Sequence, residues 1–121
     1  MAEKGYTSTF DIDLRRGLYG EGLLMDLLRK GNELIEVKTD YRAHETGNIA
    51  VELECRGKPS GLTTTEADYW AFIIPGLDNS IILQRKERVM KLCQDKPTVM
   101  VGDGKMSKCV LLPIRSMWGK V

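Results

Sequence analysis

Histidine is nearly absent. His44 stands alone, so no site that needs two imidazoles can be built. That removes most zinc enzymes and any Ser-His-Asp scheme not centred on His44. Cysteine is scarce as well: Cys55, Cys93 and Cys109 are odd in number and match no metal-binding spacing. A disulfide framework is not expected. Each thiol reads as a small buried apolar group in a reducing, cytoplasmic setting. No stretch approaches the roughly 20 apolar residues of a membrane-spanning helix. The opening "MAEKGYTSTF" lacks the apolar run of a signal peptide. A one-signed charge is missing too. The formal net charge is +1, so no global field advertises nucleic acid, and a polyanion-binding face requires local segregation of charge. There is no internal repeat, linker or low-complexity tract.

What is present is ordinary for a globular chain: 121 residues, 42% hydrophobic and 29% charged. That fits one domain over 1–121 with a core of its own. Phe10, Ile12 and Leu14 alternate with Asp11, Asp13 and Arg15 as in a short strand. "GLYGEGLLMDLLRKG" reads as a helix ended by Lys30 and Gly31. "ELIEVKTD" and "NIAVELECR" read as strands joined by the polar turn "YRAHETG", which predicts an antiparallel pair. "TTTEADYW" resembles a capping box opening a short helix. "YWAFIIPG" is a buried strand stopped by Pro75 and Gly76. "SIILQRKERVMKLC" passes from strand into basic helix. The last segment reads as two strands about a turn at Gly102 to Gly104. The order predicts a mixed α/β (α+β) domain, with Tyr69, Trp70 and Phe72 in its core.

Three features carry chemistry. At 100° per residue, Glu21 lies on the same side of its helix as Leu18, Leu24, Met25 and Leu28, so it is expected to point into the protein. A carboxylate there needs a partner, either a basic side chain or a metal. Second, Glu36, Lys38 and Asp40 share one strand face, while Glu52, Glu54 and Arg56 share another. If the two strands pair, these faces lie side by side. Such a set is either a solvated face laced with ion pairs or a carboxylate-rich site for a divalent cation with a lysine beside it. Third, Arg15, Arg16, Arg42, Arg56 and Lys58 sit near the ends of these elements and suit phosphate contacts. Arg85, Lys86, Arg88 and Lys91 read equally well as a solvated helix face.

These pieces resemble the PD-(D/E)XK nuclease superfamily, which includes Holliday-junction resolvases and restriction enzymes. The matching parts are "GEGLLMDLL" with Glu21 and "IEVK" with Glu36 and Lys38. The longer "IEVKTD…ETGNIAVELECRGKPSGLTTTEADYW" is similar to small bacteriophage nuclease-like proteins of that superfamily, over about residues 9–75. The resemblance implies a restriction-endonuclease-like αβββαβ core, a central mixed sheet flanked by helices, one or two Mg²⁺ ions for which Mn²⁺ substitutes, and hydrolysis of DNA phosphodiester bonds. By position, Glu21 is the helix acid, Glu36 a metal carboxylate and Lys38 the lysine. The Asp that usually lies on the strand before E-x-K has no room here, and two registers stay open. In one, Glu36 and Lys38 are the usual pair. In the other, "IEVKTD" is the earlier strand, Glu36 or Asp40 takes the Asp role, and Glu52 and Glu54 form an E-x-E variant with Lys38 supplying the amine.

The expectation is therefore a Mg²⁺-dependent DNA endonuclease with no membrane partner. Its catalytic set is Glu21, Glu36, Lys38 and Glu52, with Asp40 and Glu54 as further metal ligands. Two DNA strands to cut favour a homodimer. The alternatives are a catalytically inactive nuclease-fold module that binds DNA or protein, and a protein whose charges only solvate a sheet.

Overall fold

The computed structural model describes Leu18, Glu21, Gly22, residues 24–26, Gly31 and residues 33–117. The chain divides into two compact units, Met1–Glu33 and Leu34–Val121. In the first unit, Leu18, Glu21, Gly22 and 24–26 have helical backbone, as the sequence pattern predicts. Leu18, Leu24 and Met25 are exposed, and so is Glu21, whereas the helical period predicts an inward-facing set. The strand predicted around Phe10, and Arg15 and Arg16, lie outside the described residues.

The second unit is mixed α/β. Its elements are β1 (Ile35–Thr39), α1 (Ala43–Thr46), β2 (Asn48–Cys55), β3 (Lys58–Pro59), β4 (Tyr69–Ile74), β5 (Ser80–Arg85), α2 (Lys86–Cys93), β6 (Thr98–Val101) and β7 (Ser107–Pro113), with short 3-10 turns between them. The described strands form two sheets, one in the order β1-β4-β5 and the other β3-β2-β7-β6. Among the described residues no helix is long and apolar enough to cross a membrane.

β4 is the apolar run of the sequence. Trp70, Phe72 and Ile74 are buried on one face, and Pro75, which cannot donate to a ladder, ends the strand. β2 and β7 alternate, pairing Ile49 with Leu112 and Val51 with Val110. These side chains join Trp70, Phe72, Ile74 and α2's Val89 and Leu92 in one cluster. Removing so many large apolar groups from water is the main stabilising term, at about 25 cal/mol per Å² of apolar area.

Several expectations change. β1 does not pair with β2. It runs parallel to β4, with Glu36 opposite Trp70 and Lys38 opposite Phe72. The predicted turn "YRAHETG" instead holds the helical turn α1, closed by Gly47 in the left-handed region at φ 77°. That turn carries the chain to a different sheet, so the expected single central sheet is two sheets. "TTTEADYW" opens no α-helix. The Thr65 hydroxyl accepts the Ala67 amide at 3.1 Å and the Trp70 indole N–H at 3.3 Å, a local arrangement that competes with helical bonding.

Candidate functional site

The face of β1 that carries Glu36, Lys38 and Asp40 is the inner one. Ile35 and Val37 are 40% and 54% exposed, while the three charged residues between and after them are half-buried. The register explains this reversal. Glu36 and Lys38 lie on the side of the sheet that carries Trp70 and Phe72, at its edge. The Lys38 ammonium stands 5.4 Å from the centre of the Trp70 ring and 3.6 Å from a Glu36 oxygen. A cation over an indole face with a carboxylate beside it is stabilised without full hydration.

Asp40 follows β1 and turns the chain. Its Oδ1 accepts the amides of Arg42 and Ala43, each at 3.0 Å, in an Asx-type turn that leads into α1. Its Oδ2 accepts the Ala50 amide of β2 at 3.1 Å. The carboxylate thus joins the edge of one sheet to a strand of the other.

Glu52 lies on β2. Ser60 donates its hydroxyl to Oε2 at 2.5 Å and Ser107 donates to Oε1 at 2.7 Å. These two bonds, Ser60's first, hold the Glu52 carboxyl below its ordinary 4.5. Partial burial opposes them and the Lys38 charge adds to them. The ladder between β2 and β7 shifts between Glu52 and Glu54: Glu52 faces Cys109, but Glu54 faces Lys108. Cys109 and Lys108 are consecutive, so they point to opposite sides of the sheet. The bulge at Leu53 therefore sends Glu54 to the side away from Glu52, where it pairs with Lys108 at 3.4 Å. The expected E-x-E face is broken, and Cys55 joins the Glu52 side instead, within 4.0 Å of the Ser107 hydroxyl.

Lys38, Asp40, Arg42, Glu52, Ser107 and Cys109 line one cleft of about 410 Å³. Its walls carry two cations and two carboxylates. Burial first, then the Glu52 and Asp40 charges, push the Cys109 thiol up to about 11, so it is neutral near pH 7. Cys93, raised to about 11 chiefly by burial, is equally inert. Of the residues expected in the site, the structure brings Lys38, Asp40, Arg42 and Glu52 to this cleft. Glu36 sits beside Lys38. Arg56 and Lys58 are exposed at the β2–β3 turn. Glu21 belongs to the first unit.

Among the described residues no group of three His, Cys, Asp or Glu gathers in a form that could hold a metal. A two-carboxylate site is a different matter. A carboxylate offers about four acceptor positions. Asp40 uses three, leaving one on Oδ2, and Glu52 uses one on each oxygen, leaving one on each. One or two carboxylates plus waters are what Mg²⁺ takes, and Asp40 and Glu52 each keep an acceptor position of that kind.

Ser60, Gly61 and Ser107 are the residues around Glu52 that sequence pattern does not reveal. The glycine in "GKPSGL" was the one available signal. Gly61 has φ 57°, and a Cβ there would collide with the Glu52 carbonyl, whose carbon would be only 2.9 Å away. A glycine that breaks a loop marks a close backbone approach, and here the approach is to Glu52.

No protein-family model, no curated protein and no solved structure matches the chain.

Proposed function

We propose that the chain is a Mg²⁺-dependent deoxyribonuclease that hydrolyses phosphodiester bonds, with the cleft of Lys38, Asp40 and Glu52 as its site. The observation that carries this reading is convergence. A lysine and a carboxylate from β1 and its end, and a second carboxylate from β2, reach one cleft although the two strands share no ladder. In the restriction-endonuclease-like reading this favours the second register: Asp40 takes the Asp role, Glu52 is the acid of the later strand, and Lys38 supplies the amine. Glu36 then acts through Lys38.

Asp40 and Glu52 would hold the cation through the acceptor positions left on Oδ2, Oε1 and Oε2. When bound, the ion lowers the pKa of a water and stabilises charge on the phosphate. The Lys38 ammonium, 5.4 Å from the Trp70 ring centre, would orient a water or a non-bridging phosphate oxygen. Arg42 neutralises an adjacent phosphate. The substrate is DNA with two strands to cut, for which a homodimer is the simplest assembly.

The test is cleavage of plasmid, linear duplex, branched and single-stranded DNA with Mg²⁺ or Mn²⁺, comparing the parental chain with Glu52→Gln and Lys38→Ala. Metal-dependent cleavage that both variants lose supports the reading. No cleavage of any of these substrates ends it. A nuclease-fold module that binds DNA or protein without cutting is the second reading. It is favoured by Glu54, whose pairing with Lys108 leaves only two carboxylates on the cleft. Retained DNA binding without cleavage selects it.

A further inference from the structure

We infer that Ser60 and Ser107 are positioning residues for Glu52: two hydroxyl donors fix its carboxylate so that one acceptor position on each oxygen is kept for a divalent cation. This rests on the reading of the cleft as a metal-dependent site. The two donors come from separate places in the chain. Ser60 precedes the 3-10 turn Gly61–Thr63, and Ser107 opens β7 opposite Cys55. Each takes a different oxygen, Oε2 at 2.5 Å and Oε1 at 2.7 Å. One donor would leave the carboxylate free to swing about its last torsion, whereas two on opposite oxygens fix its plane.

The backbone is shaped to bring Ser60 there. The Ser60 amide donates to the Leu53 carbonyl at 3.0 Å, and the Thr63 hydroxyl donates to the same carbonyl at 2.8 Å. The loop is thus laced to the bulged residue next to Glu52. Gly61, at φ 57°, lets the loop lie against the Glu52 backbone, where any side chain would collide. On the other side, the bulge at Leu53 puts Glu52, Cys55 and Ser107 on one face of the sheet. Three local features, a left-handed glycine, a bulge and a doubly anchored loop, all act on one carboxylate. The same carboxylate lines the cleft with Lys38 and Asp40. Hydrogen bonds that orient a metal ligand in this way cost about 10–100-fold in metal affinity when removed.

The experiment uses the full chain and two readouts. The first is Mn²⁺ affinity by titration calorimetry or electron paramagnetic resonance for the parental chain, Ser60→Ala, Ser107→Ala, the double variant and Ser60→Thr. The second is the order of the Glu52 side chain without metal, by carbon NMR relaxation at its carboxyl and methylene groups. The expected result is Mn²⁺ binding weakened about tenfold or more in the double variant, recovery in Ser60→Thr, which keeps a hydroxyl, and loss of Glu52 order in the double variant. Unchanged order and unchanged Mn²⁺ affinity in a folded double variant overturn the inference. A purely structural role would lower the melting temperature and leave both readouts unmoved, which also overturns it. Loss of order in the double variant, with no Mn²⁺ bound by the parental chain, supports the clamp and refutes the metal-dependent reading instead. If the double variant fails to fold, the comparison of Ser60→Ala with Ser60→Thr carries the same decision.

Discussion

Asp40 Oδ2 accepts the backbone amide of Ala50 at 3.1 Å, and that bond ties the end of β1 to β2 across two sheets. The other oxygen accepts the Arg42 and Ala43 amides at the entry to α1. One side chain therefore shapes the corner of the cleft while standing in it. Asp40→Ala leaves three amides without this acceptor, one of them on the fully buried Ala43. The expected cost is about 1–3 kcal/mol, the usual range when a buried donor loses its hydrogen-bond partner. Asp40→Asn keeps one carbonyl oxygen for the Arg42 and Ala43 amides and loses the charge. It should be closer to the parental chain in stability, yet equally impaired in metal-dependent cleavage. Urea unfolding checks the first part, as a midpoint shift at constant slope.

The positions of the elements and of the core follow from periodicity, because β2, β4, β5–α2 and β6–β7 each alternate or repeat over enough residues to fix a face. Trp70 and Phe72 are buried as their sequence context predicts. Tyr69 is not, since it lies on the other face of β4 with the Arg85 guanidinium 5.3 Å from its ring. Partner choice was not legible. Alternation in β1 says which residues share a face but not which strand lies alongside, and a parallel partner 34 positions on, Ile35 with Tyr69, leaves no local signal. The bulge at Leu53 was equally hidden. "VELEC" alternates perfectly, and a one-residue shift in the ladder is what separates Glu54 from Glu52. The hydroxyls on Glu52 come from positions 8 and 55 residues away, and only the fold brings them together.

Gly76 lies under the imidazole of His44, and a Cβ at 76 would overlap the ring, beginning with Cγ. Cγ is the near end of the ring, so the whole side chain must move. Gly76→Ala is expected to destabilise by about 1–3 kcal/mol, the usual cost of overpacking. His44→Ala in the same chain should recover much of it, because the two positions are in contact and their effects do not add. A double-mutant cycle in urea measures this. Equal losses with and without His44 would refute it.

Glu52 also gives a pH dependence whose sign is fixed. Its folded-state pKa is below the ordinary 4.5, chiefly through Ser60 and then Ser107. Between the two values the unfolded chain binds more protons, so stability rises with pH. The contribution is fully present above about 4.5 and is lost as pH falls through the folded value. Glu52→Gln should flatten the acid side of the stability curve relative to the parental chain. The gap between the two should narrow as pH falls below about 4.5. Denaturant unfolding across that range is the measurement, and parallel curves would refute the assignment.

Glu54 separates the two possible readings of "VELE". Were both glutamates ligands, Glu54→Gln and Glu52→Gln would be equally damaging. The ladder shift at Leu53 instead points Glu54 at Lys108, in a half-exposed pair 3.4 Å apart. Such pairs contribute about 0–1 kcal/mol, so Glu54→Gln should change stability by no more than that. It should also leave Mn²⁺ affinity and cleavage near the parental level. Glu52→Gln should reduce cleavage by more than about 100-fold, the upper end of what losing a metal's outer-shell partner costs. Lys108→Ala gives a second check. It should resemble Glu54→Gln in every assay, because the two groups serve each other and not the cleft. Loss of cleavage in Glu54→Gln would mean that the strand presents both carboxylates during turnover and that the bulge is not its working register.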